Sequence, residues 1–376
     1  MENIGVYIHI PFCLSRCYYC DFVSSIARQE QIDRYVEAVV KEIKLLARQI
    51  KYHYVVDTVY IGGGTPSVLS AKQLGHIIFN LRKSLKCDIQ EFTVEVNPCS
   101  VDEAKITAYK RLGVTRVSIG VQTFNPEIAK SIGRRHTPEQ AVQAIKWVVE
   151  SGLDCSVDAM LGLPNQTIDD IDDFVEVVKY NGVEHVSAYM LKLEEGTAMF
   201  KAKEQGKLDL PDEDATCDMY DHIKSRLEDI GFHRYEVSNF CREGKESKHN
   251  LKYWQCKQYV GVGLAAHSLL GNRRLYNPSD FEEYYDKVDN GKLAQKLEQK
   301  LSLKDMMDER IMLGLRMDEG MDIDRFNSDF DVDFLDTYRQ KLQKVQQYLN
   351  VSKERVSIKQ EYMGVMNSII SQLIFD

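Results

Sequence analysis

Short β-branched and apolar runs alternate along the chain with longer stretches whose apolar positions recur every three or four residues. The runs at 5–10, 58–61, 91–96, 116–121, 155–160 and 185–190 predict strands. Behind the first, Ile32, Val36, Val39, Ile43 and Leu46 step by four and three, which places them on one helical face. Ser100 with Glu103 predicts a capping box opening a helix that ends at Gly113. Thr137 predicts another N-cap, with Pro138 at the first helical position and Gly152 past the end, and residues 169–180 fill the next interval. Strand-then-helix units in succession predict a parallel α/β sheet. Right-handed crossovers would curl it into a partial parallel (β/α)6-type barrel.

The pattern changes near residue 290. Residues 290–304 are rich in Lys, Gln and Glu and read as a linker. Beyond it come helical patterns at 305–317 and 334–349, a short strand at 355–359 and a last helix at 362–374. This predicts a barrel over 1–290 and a small, mostly helical C-terminal domain over 300–376, with one β-ribbon in the manner of a winged helix. No internal repeat or low-complexity segment interrupts either part.

Composition narrows the function. The 376 residues are 44% hydrophobic and 28% charged, as in an ordinary globular protein with room for a large core. The net charge of −9 argues against nucleic-acid binding and against attraction to anionic membranes. No apolar run approaches the ~18 residues of a transmembrane segment, and Met1-Glu2-Asn3 does not open a secretory signal. A cytoplasmic protein is the expectation.

Of the nine cysteines, six are scattered (87, 99, 155, 217, 241 and 256), which is no disulfide framework. The others form Cys13-x-x-x-Cys17-x-x-Cys20, directly after the first strand. Loops that follow barrel strands line the face where chemistry occurs. Three thiolates in one compact loop select a soft metal, either zinc or an iron–sulfur cluster. A closed zinc site needs a fourth protein ligand, with His9 nearby; a cluster held by three thiolates keeps one iron open. Gly62-Gly63-Gly64-Thr65-Pro66 follows the second strand. It reads as a tight turn, or as a place where backbone must approach a ligand closely. Glu95, Gln122 and Asp158 put polar groups toward the same end of successive strands, where a barrel site is expected.

The string Tyr7-Ile8-His9-Ile10-Pro11-Phe12-Cys13-x-x-x-Cys17-x-Tyr19-Cys20-Asp21-Phe22 resembles the radical S-adenosylmethionine enzymes, and more narrowly the oxygen-independent coproporphyrinogen III oxidase-like family. The resemblance covers roughly residues 5–270. It implies that Cys13, Cys17 and Cys20 hold a 4Fe-4S cluster whose open iron binds S-adenosylmethionine. It also implies cofactor contacts at Tyr7, Tyr19, Gly63, Gly64, Thr65, Glu95, Gln122, Arg134 and Asp158. Arg134 is suited to a bidentate carboxylate pair.

Two features separate the branches of the family. The oxidases carry a further cysteine where this chain has Phe22, and an N-terminal extension where only four residues precede the first strand. His249-Asn250-Leu251-Lys252-Tyr253-Trp254 resembles the HNxxYW motif of the haem-chaperone (HemW-type) branch. An imidazole beside Tyr253 and Trp254 suits haem, nitrogen to iron and rings against the porphyrin. The segment from Gly261 to Ser268 is similar to that branch too, which more often has glycine where this chain has Ala265. The resemblance therefore implies a haem chaperone around residues 231–270, with haem as cargo, a haem-accepting protein as partner and an electron donor for the cluster. The rival readings are a coproporphyrinogen III oxidase acting by radical hydrogen abstraction and a zinc-stabilised interaction protein.

Overall fold

The computed structural model describes residues 1–374; the last two residues of the expected 300–376 unit lie outside the described residues. All six expected strands form, each longer than or equal to its predicted run: β1 (Glu2–Ile10), β2 (Tyr54–Gly63), β3 (Cys87–Val96), β4 (Arg116–Gln122), β5 (Asp154–Leu161) and β6 (His185–Met190). They pair side by side and in parallel. The crossovers carry α1 (Gln29–Ile50), α2 (Ala71–Ser84), α3 (Glu103–Arg111), α4 (Pro126–Ser131), α5 (Pro138–Ser151) and α6 (Ile168–Tyr180).

These strands alternate in a way that buried parallel strands usually do not. Val59, Ile61, Phe92, Val94, Val117 and Val157 are fully buried on the outer, helix-covered face. Each contributes about 1.5–3 kcal/mol of apolar burial. The intervening positions are polar: Tyr60, Thr93, Ser118, Ser156 and Ser187 come from five different strands yet line one cavity. The sheet must therefore be strongly curled, and its inside is built to hold a ligand rather than a packed core.

After β6 come α7 (Ala198–Glu204) and α8 (Glu213–Asp229). The hairpin β7 (His233–Glu236)–β8 (Asn239–Cys241) then adds antiparallel to β6. Next are α9 (Lys248–Trp254) and β9 (Tyr259–Val262), which pairs in parallel with the free side of β1. β10 (His267–Leu270), β11 (Arg273–Tyr276), α10 (Phe281–Asp289) and β12 (Lys296–Lys300) complete a twelve-stranded sheet. The order is β12-β11-β10-β9-β1-β2-β3-β4-β5-β6-β8-β7. A buried carboxylate ties this extension to α1. Glu42 accepts 2.7 Å bonds from Gly263 N, Asn277 Nδ2 and Tyr284 Oη.

Several expectations give way to the structure. The residues read as a linker contain β12, because an edge strand needs only backbone bonds to β11 on one side and keeps its charged side chains in water. Ser100 does not cap α3: it ends a short 3-10 turn, and Asp102 accepts the Lys105 N–H instead. Thr137, Pro138 and Gly152 do bracket α5 as expected.

The tail has its own hydrophobic cluster, from Ile311 to Ile374. Its elements are α11 (Leu303–Gly314), β13 (Met321–Asp322), α12 (Ile323–Phe330), α13 (Phe334–Thr337), α14 (Arg339–Val345), β14 (Leu349–Val351), β15 (Arg355–Ile358) and α15 (Met366–Ile374). The expected 334–349 helix is broken at Tyr338 and ends in a strand. The last helix opens as a 3-10 turn, and the expected ribbon is a three-stranded sheet. Among the described residues no helix is long and apolar enough to cross a membrane.

Candidate functional site

A cavity of about 390 Å³ opens at the C-terminal ends of β1–β6. The cysteine loop forms one wall. Cys13 N donates to Ser25 O (3.0 Å) and Cys20 N to Cys17 O (3.3 Å), which folds the loop tightly on itself. Thr65 Oγ1 donates to Cys13 Sγ and Arg134 Nη1 to Cys17 Sγ, both at 3.4 Å. Burial pushes the Cys13 and Cys20 thiols up, so a metal would have to displace their protons. His9 is not a fourth ligand here, since its ring nitrogens bond Tyr7 Oη (3.0 Å) and Val23 O (2.9 Å). Among the described residues, the one trio of Cys, His or acidic ligand atoms gathered within 4.8 Å lies elsewhere. The three thiols are thus spread wider than a single tetrahedral ion requires.

The glycine turn packs directly against this loop. Gly64 N donates to Ile10 O (2.9 Å) and Thr65 N to Phe12 O (2.8 Å). A Cβ on Gly64 would lie 2.8 Å from Phe12 O and 3.0 Å from Cys13 Sγ. Gly63 has φ +111°, a conformation that side-chain-bearing residues rarely adopt.

Across the cavity, Arg134 offers what a carboxylate would need. Its Nε and Nη2, which share one edge of the guanidinium, are buried without a hydrogen-bond partner. Glu95 accepts from Tyr60 Oη (2.7 Å) and Gly63 N (3.1 Å). Burial, more than the neighbouring Asp158, raises it to about 7. Burial likewise raises Asp158 to about 6, against the pull of the Ser187 hydroxyl and Arg134. Gln122 sits at φ +75° beside a register shift at Gly120, so strained backbone aims this side chain. An orphaned guanidinium edge and two half-buried carboxylates lining one cavity match a ligand that carries both a carboxylate and a cation. The thiols, the Arg134 edge and the crowded Gly64 cradle therefore fit a cluster with S-adenosylmethionine.

The structure gathers Cys13, Cys17, Tyr19, Cys20, Gly63, Gly64, Thr65, Glu95, Gln122, Arg134 and Asp158 around this one cavity. Tyr7 does not line it; it stacks beneath, on Tyr60. Of the HNxxYW residues, Asn250 lines the cavity and the others do not. His249 is 0% exposed, deep under Tyr60, with Nδ1 on Thr58 Oγ1 and Nε2 on Tyr253 Oη, both at 2.9 Å. Burial, aided by Lys252, lowers it to about 3, so it is a neutral, fully engaged imidazole.

The helix carrying His249 is anchored as a plug. Glu91 accepts from Ser247 Oγ (3.2 Å), Lys248 N (2.9 Å) and His249 N (3.0 Å), and Lys252 Nζ pairs with buried Asp57 at 2.7 Å. Trp254 lines a second cavity of about 240 Å³ between α9 and the C-terminal part, together with Lys257, Arg310, Arg325 and Arg355. The two cavities share no lining residue. The expectation of His249 and Trp254 against one porphyrin face thus differs from this arrangement, in which the helix turns them to opposite surroundings.

The Radical SAM superfamily model matches residues 7–178, and the HemN C-terminal domain matches 301–361. The "Heme chaperone HemW" of Lactococcus lactis is 34% identical over 99% of this chain and 97% of its own. The Bacillus subtilis protein of the same name is 35% identical over 86% of both.

This chain belongs to the HemW haem-chaperone family.

The solved coproporphyrinogen III oxidase HemN of Escherichia coli matches in fold, with a TM-score of 0.86 over 100% of this chain and 90% of its own, at 22% identity. In this member of the HemW family, Phe22 stands 62% exposed at the cavity rim. Ala265 adopts φ +54°. The inward Tyr60, Ser118, Ser156 and Ser187 went unread in the sequence. Their signal is the period-two alternation of polar residues along consecutive strands. The Arg116–Glu91 pair (3.4 Å) under the cavity also went unread, since nothing local links residues on different strands.

Proposed function

We propose that this protein is a haem chaperone that carries its cofactor and its cargo at two separate places. The observation that supports this is the separation of the cavities. The porphyrinogen of an oxidase would have to lie against S-adenosylmethionine in the first cavity. The aromatic end of the HNxxYW motif instead faces the second. When bound, the cluster and S-adenosylmethionine supply one-electron chemistry. The chain's own groups hold them: three thiols for iron, Arg134 for a carboxylate, and Glu95 and Asp158 for a cation. At the second cavity, Trp254 offers a ring to the macrocycle and four cations face its two propionates, against the carboxylates of Glu319 and Asp322.

His249 takes part as an axial ligand only if α9 gives up the bonds to Thr58 and Tyr253, so ligation is coupled to release of the plug. An electron donor for the cluster and a haem-requiring acceptor protein complete the partners. Nine free thiols suit the reducing cytoplasm.

Anaerobically reconstituted protein titrated with haem tests this reading. The wild type develops a Soret band. Trp254→Ala weakens binding several-fold through lost aromatic contact, and His249→Ala shifts the band if the imidazole reaches iron. Conversion of coproporphyrinogen III by the reconstituted protein, or haem binding untouched by both substitutions, overturns it.

A further inference from the structure

The β7–β8 hairpin holds a set of side chains that neither the cluster nor haem uses. His233 and Cys241 are directly opposite in the antiparallel register, so they project from the same face. The chain then reverses at Gly244 (φ +74°) and brings Glu246 back over them. Cys241 Sγ lies 3.7 Å from His233 Nε2, which lies 3.1 Å from Glu246 Oε1, and all three ligand atoms fall within 4.8 Å of one another.

We propose that His233, Cys241 and Glu246 form a transition-metal site suited to zinc, with water as the fourth ligand. Zinc bonds of about 2.3 Å to sulfur and about 2.0–2.2 Å to nitrogen and oxygen put tetrahedral S···N and N···O edges near about 3.6 and 3.4 Å. The observed separations differ from these by a few tenths of an ångström. One thiol, one imidazole and one carboxylate form the mixed soft and borderline set that zinc takes. The nearby Lys245 does not compete for Glu246, because its Nζ is held by Asp154 (2.6 Å) and Glu184 (2.9 Å). Cys241 is buried, while the His233 side chain is 46% exposed, which leaves an open side for water. Binding releases the thiol proton to solvent and forms the Zn–S bond, with no redox change.

The metal would also staple the segment that leads into α9. The carbonyls of Lys245 and Glu246 accept from Arg116 Nη2, and Ser247 caps the helix of His249. The site is independent of haem.

The test uses cluster-loaded protein, so that the cysteine loop is filled with iron. It is incubated with zinc chloride, desalted, and analysed for zinc and iron together. The wild type should retain one zinc per chain with its iron unchanged. His233→Ala, which alters a half-exposed residue and should fold normally, and Cys241→Ser should each reduce zinc to background at unchanged iron. Zinc should raise the melting temperature of the wild type and not of His233→Ala. Failure of the wild type to retain zinc, or retention by His233→Ala and Cys241→Ser at the wild-type level, overturns the proposal.

Discussion

Replacing Gly64 by alanine tests whether the glycine turn and the cysteine loop are one unit. The new Cβ would meet Phe12 O at 2.8 Å, Cys13 Sγ at 3.0 Å and Ile10 O at 3.0 Å. Two of these are backbone carbonyls, already engaged by Thr65 N and Gly64 N, so neither can swing aside as a flexible side chain would. Ordinary contact begins at 3.4 Å, so the loop must retreat by roughly half an ångström. Overpacking of this kind costs about 1–3 kcal/mol. If the strain falls mainly on the assembled site, it weakens S-adenosylmethionine binding by roughly 5- to 150-fold. If it is shared with the whole fold, the melting temperature drops by a few degrees. Iron analysis, equilibrium dialysis with S-adenosylmethionine and anaerobic thermal melting separate these outcomes. Gly364→Ala, where nothing lies within 4 Å of the added carbon, is the control. Wild-type iron, affinity and melting in Gly64→Ala would show that the turn does not constrain the cysteine loop.

Two further outcomes follow from buried and strained positions. Ala265→Gly relieves a left-handed backbone at φ +54° and should stabilise the protein by on the order of 1 kcal/mol; a lowered melting temperature contradicts this. Burial raises Glu42 to about 7 from 4.5, so the folded chain keeps a proton that the unfolded chain releases. The stability this confers is complete below about pH 4.5 and is lost as pH rises through about 7, a swing on the order of 3 kcal/mol. The Glu42→Gln variant should therefore lose part of the wild type's decline between pH 5 and 8, and parallel pH profiles of melting would refute the assignment.

What the sequence determined by itself was local. The six parallel strands, α1 and α5 were legible because hydrophobic period, caps and glycine stops act within a few residues of one another. The three thiols were legible because one loop carries them all. Family membership was likewise written in contiguous strings. Tertiary structure decided whatever required distant segments to meet. Arg134 reaches Cys17 across 117 residues, and His249 is sealed by Thr58 across 191. No period or spacing announces that an imidazole in an aromatic motif will have both nitrogens engaged. The second cavity collects residues from Trp254 to Arg355, and the His233–Cys241–Glu246 trio depends on hairpin register. β12 was hidden for the complementary reason. An edge strand is specified by backbone bonds to its neighbour, and those leave side-chain composition free to resemble a linker.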